Sequence, residues 1–203
     1  MDAFLRDLIP FLAILNPFAL SLYLAGVMEE LTARQFLHVL LGACGISIVV
    51  FSLCALAGET MLVDWLGVRP SALRVFGGMI FFVVGYNYVL RGYRATEMLR
   101  GSAQALPSAI ALPFMIGAGT ITQSILIGKQ HASPVVIALL AVGVGVSFGF
   151  VMAFKWLRDR MRGPREQVFD RYINILARLN GLVIGAVSTD MVVTGLHELW
   201  RAT

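Results

Sequence analysis

Ala13-Ile14-Leu15-Asn16-Pro17-Phe18 and Ala109-Ile110-Ala111-Leu112-Pro113-Phe114 read as versions of one another. Each sets a proline inside a hydrophobic run, and Gly117-Ala118-Gly119 follows the second. A proline within a membrane-length helix removes a hydrogen bond and clashes with the turn before it. Hydrocarbon has no water to repair that loss, so such a break persists only where protein or a wet cavity satisfies the backbone. Two breaks at matching places in two halves of a chain point to a transporter binding site.

The surrounding composition supplies the membrane. Of 203 residues, 58% are hydrophobic and only 14% charged, with a mean hydropathy of +0.81; soluble domains run to about 45–50% apolar and about 25% charged. Six apolar stretches, each near the roughly 20 residues that a bilayer core requires, run Phe4–Met28, Gln35–Ala57, Ser71–Arg91, Pro107–Gly128, Pro134–Leu157 and Tyr172–Leu199. The first lacks a small-residue cleavage site and reads as a retained helix, not a signal peptide. Between Glu59 and Pro70, the apolar Met61, Leu62, Trp65 and Leu66 suit a short interfacial helix.

Loop charge sets the expected orientation. Arg34, Arg91, Arg94, Arg100, Lys155, Arg158, Arg160, Arg162, Arg165 and Arg171 lie on one side; Arg6, Arg69, Lys129 and Arg201 lie on the other. Arg74 and Arg178 fall inside helix starts and are left out of that balance. The richer side is expected in the cytoplasm, with both termini outside. The net charge of +4 is then topology, and no nucleic-acid partner is expected. Cys44 and Cys54, ten residues apart on one helix, would be roughly 15 Å apart, beyond disulfide reach.

The third and sixth stretches extend the repeat. Leu73 to Gly92 aligns without gaps on Leu176 to Gly195, with Leu73/Leu176, Gly78/Gly181, Val89/Val192 and Gly92/Gly195 identical. Asn87 falls opposite Asp190. Three spans per half is an odd number, so the second half must cross in the opposite sense, as in inverted-repeat transporters. Ancient duplication without transport is the plainer alternative. Ala141, Gly145 and Gly149, and likewise Ala177, Gly181 and Gly185, follow small-xxx-small spacing and read as packing stripes.

Several polar residues fall where chemistry would be done. Asp190 lies deep in the sixth stretch, where a carboxylate is costly and functional by default. Burial disfavours its charged form, which suits a group that binds and releases a proton; Na⁺ ligation or pairing with a substrate ammonium fits equally. The plain alternative is an interfacial carboxylate bonded to Thr194. Asn16 both donates and accepts through its amide, and Ser21 follows one turn on. Thr120, Thr122, Gln123 and Ser124 follow the second break. Free N–H groups at restarted helices suit a carboxylate, and free carbonyls suit an ammonium, so the breaks together would hold a zwitterion. Ser and Thr also serve as ordinary interhelical glue, the favoured reading for Thr122 and Ser124. Asn180 fits either role. No metal-ligand spacing and no nucleophile–base pair is legible, so neither cofactor nor enzyme activity is expected.

These motifs resemble the MarC family of inner-membrane proteins, related in architecture to LysE-type exporters. Asn16-Pro17-Phe18 resembles its first-span motif, and Ala111 to Thr122 is similar to its proline- and glycine-rich fourth-span signature. Leu179-Asn180-Gly181-Leu182 and Asp190 to Leu196 resemble its closing helix. The resemblance implies six spans, outside termini and movement of small neutral amino acids. It singles out Asn16, Pro17, Pro113, Gly117 and Gly119. The chain departs from the family pattern at Ala19, Leu22, Ala118, Asp190 and Thr194, all within the expected site.

The sequence therefore predicts an all-α membrane protein: six transmembrane helices in two inverted three-helix repeats, with the first and fourth helices broken. One transmembrane domain spans 1–203: repeat one covers 1–92, a cytoplasmic linker 93–106, and repeat two 107–199. Expected substrate-binding residues are Asn16, Pro17, Ser21, Asn87, Pro113, Gly117, Gly119 and Thr120; Asp190 and Thr194 are the expected ion-coupling pair. The expected partners are a small-molecule solute, H⁺ or Na⁺, and membrane lipids, with homo-oligomerisation left open. The function expected is secondary transport of small neutral amino acids or similar metabolites. The alternative is a non-transporting scaffold or sensor whose Arg158–Arg171 loop meets acidic headgroups or a partner.

Overall fold

A computed structural model describes residues 2–60, 63–64, 67–92, 106–161 and 164–201. The expected linker at 93–106 lies outside the described residues except for Leu106, as does much of the expected interfacial helix. In chain order the helices are α1 (Asp2–Leu15), α2 (Pro17–Tyr23), α3 (Ala25–Glu30), α4 (Ala33–Thr60), α5 (Pro70–Arg91), α6 (Leu106–Ile110), α7 (Ala118–Gln130), α8 (Ser133–Arg160) and α9 (Pro164–Arg201). A π turn over Ala111–Met115 follows α6. No strand occurs among the described residues.

Among the described residues, five helical segments are long and apolar enough to cross a membrane: Phe4–Tyr23, Ala33–Gly58, Pro70–Arg91, Ser133–Arg160 and Arg171–Arg201. The expected fourth span, Pro107–Gly128, is not such a helix, because it is divided into α6, the π turn and α7. The cause is local. A proline disfavours the right-handed helical conformation at the residue before it, and here Leu112 is extended at φ −114°, ψ 121°. Ahead of Pro17, Asn16 lies in the left-handed region, at φ 45°, ψ 73°, a conformation asparagine tolerates better than most residues. α9 also begins earlier than expected, at Pro164 instead of Tyr172.

The core gathers around the short segment beyond the first break. Leu20, Leu22, Leu24 and Met28 are buried, with Phe11, Phe36, Leu40, Phe51, Met115, Ile127, Leu139 and Val144 packed in the same cluster. A Cβ on Gly143 would lie 2.6 Å from the Phe11 ring, so α8 meets α1 without an intervening side chain. Elsewhere large apolar residues face outward, among them Leu41 and Leu53 on α4, Phe76 and Phe82 on α5, Val142 and Phe150 on α8, and Leu179 and Val193 on α9. Exposure on that scale is expected of a surface in contact with lipid.

α5 and α9 form a separate antiparallel pair. Ser71, Gly78, Gly85 and Gly92 meet Gly195, Ser188, Gly181 and Asn174 in turn, a small or short residue every seven positions on both helices. A Cβ on Gly85 would stand 2.9 Å from the Gly181 carbonyl oxygen and the Gly185 nitrogen, and one on Gly181 would stand 2.9 Å from the Val89 nitrogen. Of the two expected small-residue ladders, therefore, only that on α9 packs here. A Cβ on Gly145 or Gly149 of α8 would meet nothing within 4 Å, since both lie on the outward face. The pair is peripheral: 17% and 22% of the α5 and α9 apolar windows are buried, against 44% for α4.

Polar contacts mark two ends of the molecule. At one, His131 Nε2 stands 2.6 Å from Asp7 Oδ2, joining the start of α1 to the end of α7. At the other, Arg158 on α8 donates through Nη1 to the Ala25 carbonyl (2.7 Å) and through Nη2 to Glu29 (3.1 Å). Arg158 is thus a buried fastener within a helix and not part of a loop. Lys155 is likewise buried and paired with Asp159. Cys44 and Cys54 are free and buried.

Gly181→Leu should separate α5 from α9, because the obstacle is backbone. Overpacking typically costs about 1–3 kcal/mol, and the lower melting temperature should be visible by tryptophan fluorescence in detergent. Gly145→Leu, on the outward face, should melt within error of the parent.

Candidate solute cavity at the two helix breaks

Each break is held by its own side-chain cap. At the first, the Ala19 N–H donates to Asn16 Oδ1 at 3.0 Å, the arrangement expected of an N-cap, and Pro17 takes the first helical position. At the second, the Ile116 N–H reaches back five residues to the Ala111 carbonyl at 2.8 Å. The Gly117 N–H donates to Thr120 Oγ1 at 2.9 Å, and the Thr120 hydroxyl points at the Met115 and Gly117 carbonyls, both at 3.0 Å. The breaks then meet: a Cβ on Gly119 would touch Ile14 Cγ2 at 3.1 Å. On the other side α7 approaches α5, with a Cβ on Gly77 falling 3.1 Å from that of Ala118.

Where these elements converge with α9 they enclose a cavity of about 580 Å³, within the size range of small-molecule sites. Its lining includes Asn16, Ala19 and Tyr23 from the first break and Gly117, Gly119, Thr120, Thr122 and Gln123 from the second. α5 contributes Arg74 and Phe81, and α9 contributes Asn180, Asp190 and Thr194.

One end of the cavity is closed by aromatic packing. The Tyr23 ring lies 5.0 Å from that of Tyr88 and 5.2 Å from that of Phe114. The Tyr88 hydroxyl donates to the Tyr23 carbonyl at 3.0 Å, and the Arg158 clamp on Ala25 follows two residues on. Asn180 stands beside the Tyr23 phenol, yet its Nδ2 is buried with no acceptor in hydrogen-bond geometry. The opposite end is bounded by Arg74, Asp190 and Thr194. Asp190 is exposed, and among the described residues no hydrogen bond or ion pair engages its carboxylate. Arg74 pairs with Glu198.

Six of the ten residues singled out in the sequence thus share one wall-lined space: Asn16, Gly117, Gly119, Thr120, Asp190 and Thr194. Pro17 and Pro113 sit in the breaks themselves, Pro17 opening α2 and Pro113 within the π turn. Ser21 is buried and donates to the Pro17 carbonyl at 2.9 Å; Asn87 donates to the Val83 carbonyl at 2.8 Å. Neither is among the residues lining the cavity. Arg74, Tyr23 and Phe81 escaped sequence reasoning. Arg74 carried a signal, a charge inside a membrane stretch, but its place near a helix start made it look like a topology residue. No group of three or more metal-ligating side chains occurs among the described residues.

Comparisons with known proteins agree with this architecture. UPF0056 membrane protein PH0214 of Pyrococcus horikoshii is 25% identical over 185 residues, covering 91% of this chain and 88% of its own. A UPF0056 membrane protein of Aquifex aeolicus is 25% identical over 98% of this chain and 94% of its own. UPF0056 membrane protein YhcE of Escherichia coli is 23% identical over 70% of this chain and 68% of its own. No solved structure matches. The pattern that describes MarC family integral membrane proteins matches residues 1–200. With that match running almost end to end, and several apolar helices to span a bilayer, the chain belongs to the MarC family of integral membrane proteins.

Proposed function

We propose that this protein is a secondary transporter that carries small neutral amino acids, or similar small metabolites, through the cavity between its two helix breaks. The observation that carries the reading is the convergence of the breaks on one cavity lined by both an acid and a guanidinium. Broken helices around a central site are the common plan of secondary transporters. The two halves are read as inverted three-helix repeats, with α6, the π turn and α7 together serving as the fourth crossing. α5 and α9, bound to each other by a seam of small residues, move as one body against the rest. The cavity lies on the boundary between these bodies, where a rocking motion would open it to alternate sides.

In this reading the Tyr23–Tyr88–Phe114 cluster and the Arg158 clamp close the cytoplasmic side, and Asp190 and Thr194 face the outside. Asp190 is the coupling carboxylate, taking up H⁺ with the solute; Na⁺ is the other ion such a group would hold. The protein sits in the cytoplasmic membrane of a bacterium or archaeon with both termini outside. A scaffold or sensor working through Arg158 is the less supported reading, because that side chain is already bound to Ala25 and Glu29.

Labelled glycine, alanine and serine should enter proteoliposomes faster under an imposed pH gradient. Asp190→Asn should remove the gradient stimulation, leaving uptake the same with and without the imposed pH gradient. Undiminished, still pH-driven flux in that variant would remove Asp190 from coupling. For orientation, Arg201→Cys should react with an impermeant maleimide on intact cells; reaction only after lysis would reverse the assignment.

A further inference from the structure

Arg74 is the one cationic side chain among the described residues that line the cavity. Its register on the α5–α9 seam fixes its level. Gly78 meets Ser188 and Val192, and Gly195 meets Ser71 and Val75, so Arg74 stands level with the turn of α9 that carries Asp190 and Thr194. Asp190, Thr194 and Glu198 recur every four residues, which places them on one helix face. Arg74 has chosen the last of these: it binds Glu198 and not Asp190. Glu198 is absent from the cavity lining, so the partner pulls the guanidinium towards the mouth and away from the space beneath.

The pair is only partly buried. Its side chains keep 34% and 46% of their exposure, and ion pairs this open contribute little net stability. A guanidinium, by contrast, binds a carboxylate best through two parallel hydrogen bonds in a partly desolvated site. A cavity wall offers that setting and the mouth does not.

We infer that Arg74 is the carboxylate-binding residue of this site, and that Glu198 is an internal stand-in which holds the guanidinium until a solute carboxylate displaces it. This rests on reading the cavity as a solute site. The charge balance selects the solute. With two acids, Asp190 and Glu198, beside one guanidinium, a doubly charged anion meets net repulsion. A carboxylate carried together with an ammonium brings no net charge and is accepted, which leaves Asp190 free to take up H⁺. When the carboxylate binds, the Glu198 side chain is released to water, where a half-exposed acid costs little to solvate. The mouth is thereby freed by the solute itself.

The test is binding of L-alanine and L-alaninamide, which lacks the carboxylate, to the purified full chain in detergent by isothermal titration calorimetry. The parent should bind alanine more tightly than alaninamide. Arg74→Gln should weaken alanine binding by roughly ten-fold or more, as expected for loss of a charge-assisted hydrogen bond, with alaninamide unaffected. Glu198→Gln breaks the same ion pair but removes the competitor, so it should tighten alanine binding several-fold. Opposite signs from two variants that break one contact separate recognition from damage to the fold. Weakening in both would make the pair structural and overturn the inference, as would failure of both the parent and Glu198→Gln to bind alanine. The expected binding pattern without flux in proteoliposomes would overturn the transport reading and sustain the role of Arg74.

Discussion

The structure is organised by backbone groups that hydrocarbon cannot solvate. Two prolines interrupt the helical hydrogen bonding within membrane-length apolar runs, and an amide left unsatisfied in hydrocarbon costs several kcal/mol. Several of the freed groups are met from within the protein. Asn16 caps one restart, and Thr120 with the Gly117 backbone caps the other. Two carbonyls near the α2–α3 junction are claimed from farther away, that of Tyr23 by Tyr88 on α5 and that of Ala25 by Arg158 on α8. A local defect is thus converted into long-range ties, and residues 19–25 beyond the first break are all buried.

The same constraint makes the cavity. Helices that stop and restart cannot fill the space at their ends with their own side chains, and Gly117, Ala118 and Gly119 leave it less filled still. The approach of α7 to α1 and α5 depends on those small residues, since Gly119 already touches Ile14. α5 and α9 then close the remaining side with Arg74, Phe81, Asn180 and Asp190. Caps and cavity are one feature seen from two sides: Thr120 lines the space, and its hydroxyl is spent on the backbone that shapes the wall.

Much of this was legible in the residues. The paired Pro-Phe runs located both breaks; the matching glycines of the third and sixth stretches read as a repeat, and their role in packing those two helices together showed only in the structure. Asp190 was visible because a carboxylate in an apolar run has few structural excuses. What stayed hidden depends on pairing between distant segments. Arg74 has a local pattern no different from a charge at a helix start, and only its position beside Glu198, 124 residues later, makes it part of the site. Ser21 and Thr120 show the reverse: hydroxyls near a break were expected to face a solute, yet both are bonded to neighbouring carbonyls, as short hydroxylic side chains in helices commonly are. The division of the fourth span was half legible. Pro113 announced it, but the unwinding extends to Gly117 because an extended Leu112 forces the next turn to close over five residues.

The backbone-to-backbone seam between α5 and α9 has an evolutionary consequence. At most core positions a bulky substitution can be rescued by a smaller neighbour. At Gly85 the neighbours are the oxygen of Gly181 and the main chain of Gly185, which no mutation can shrink. Such a site has no side chain on the opposing helix whose trimming could compensate a substitution, so a change there must be borne by the backbone of the whole pair.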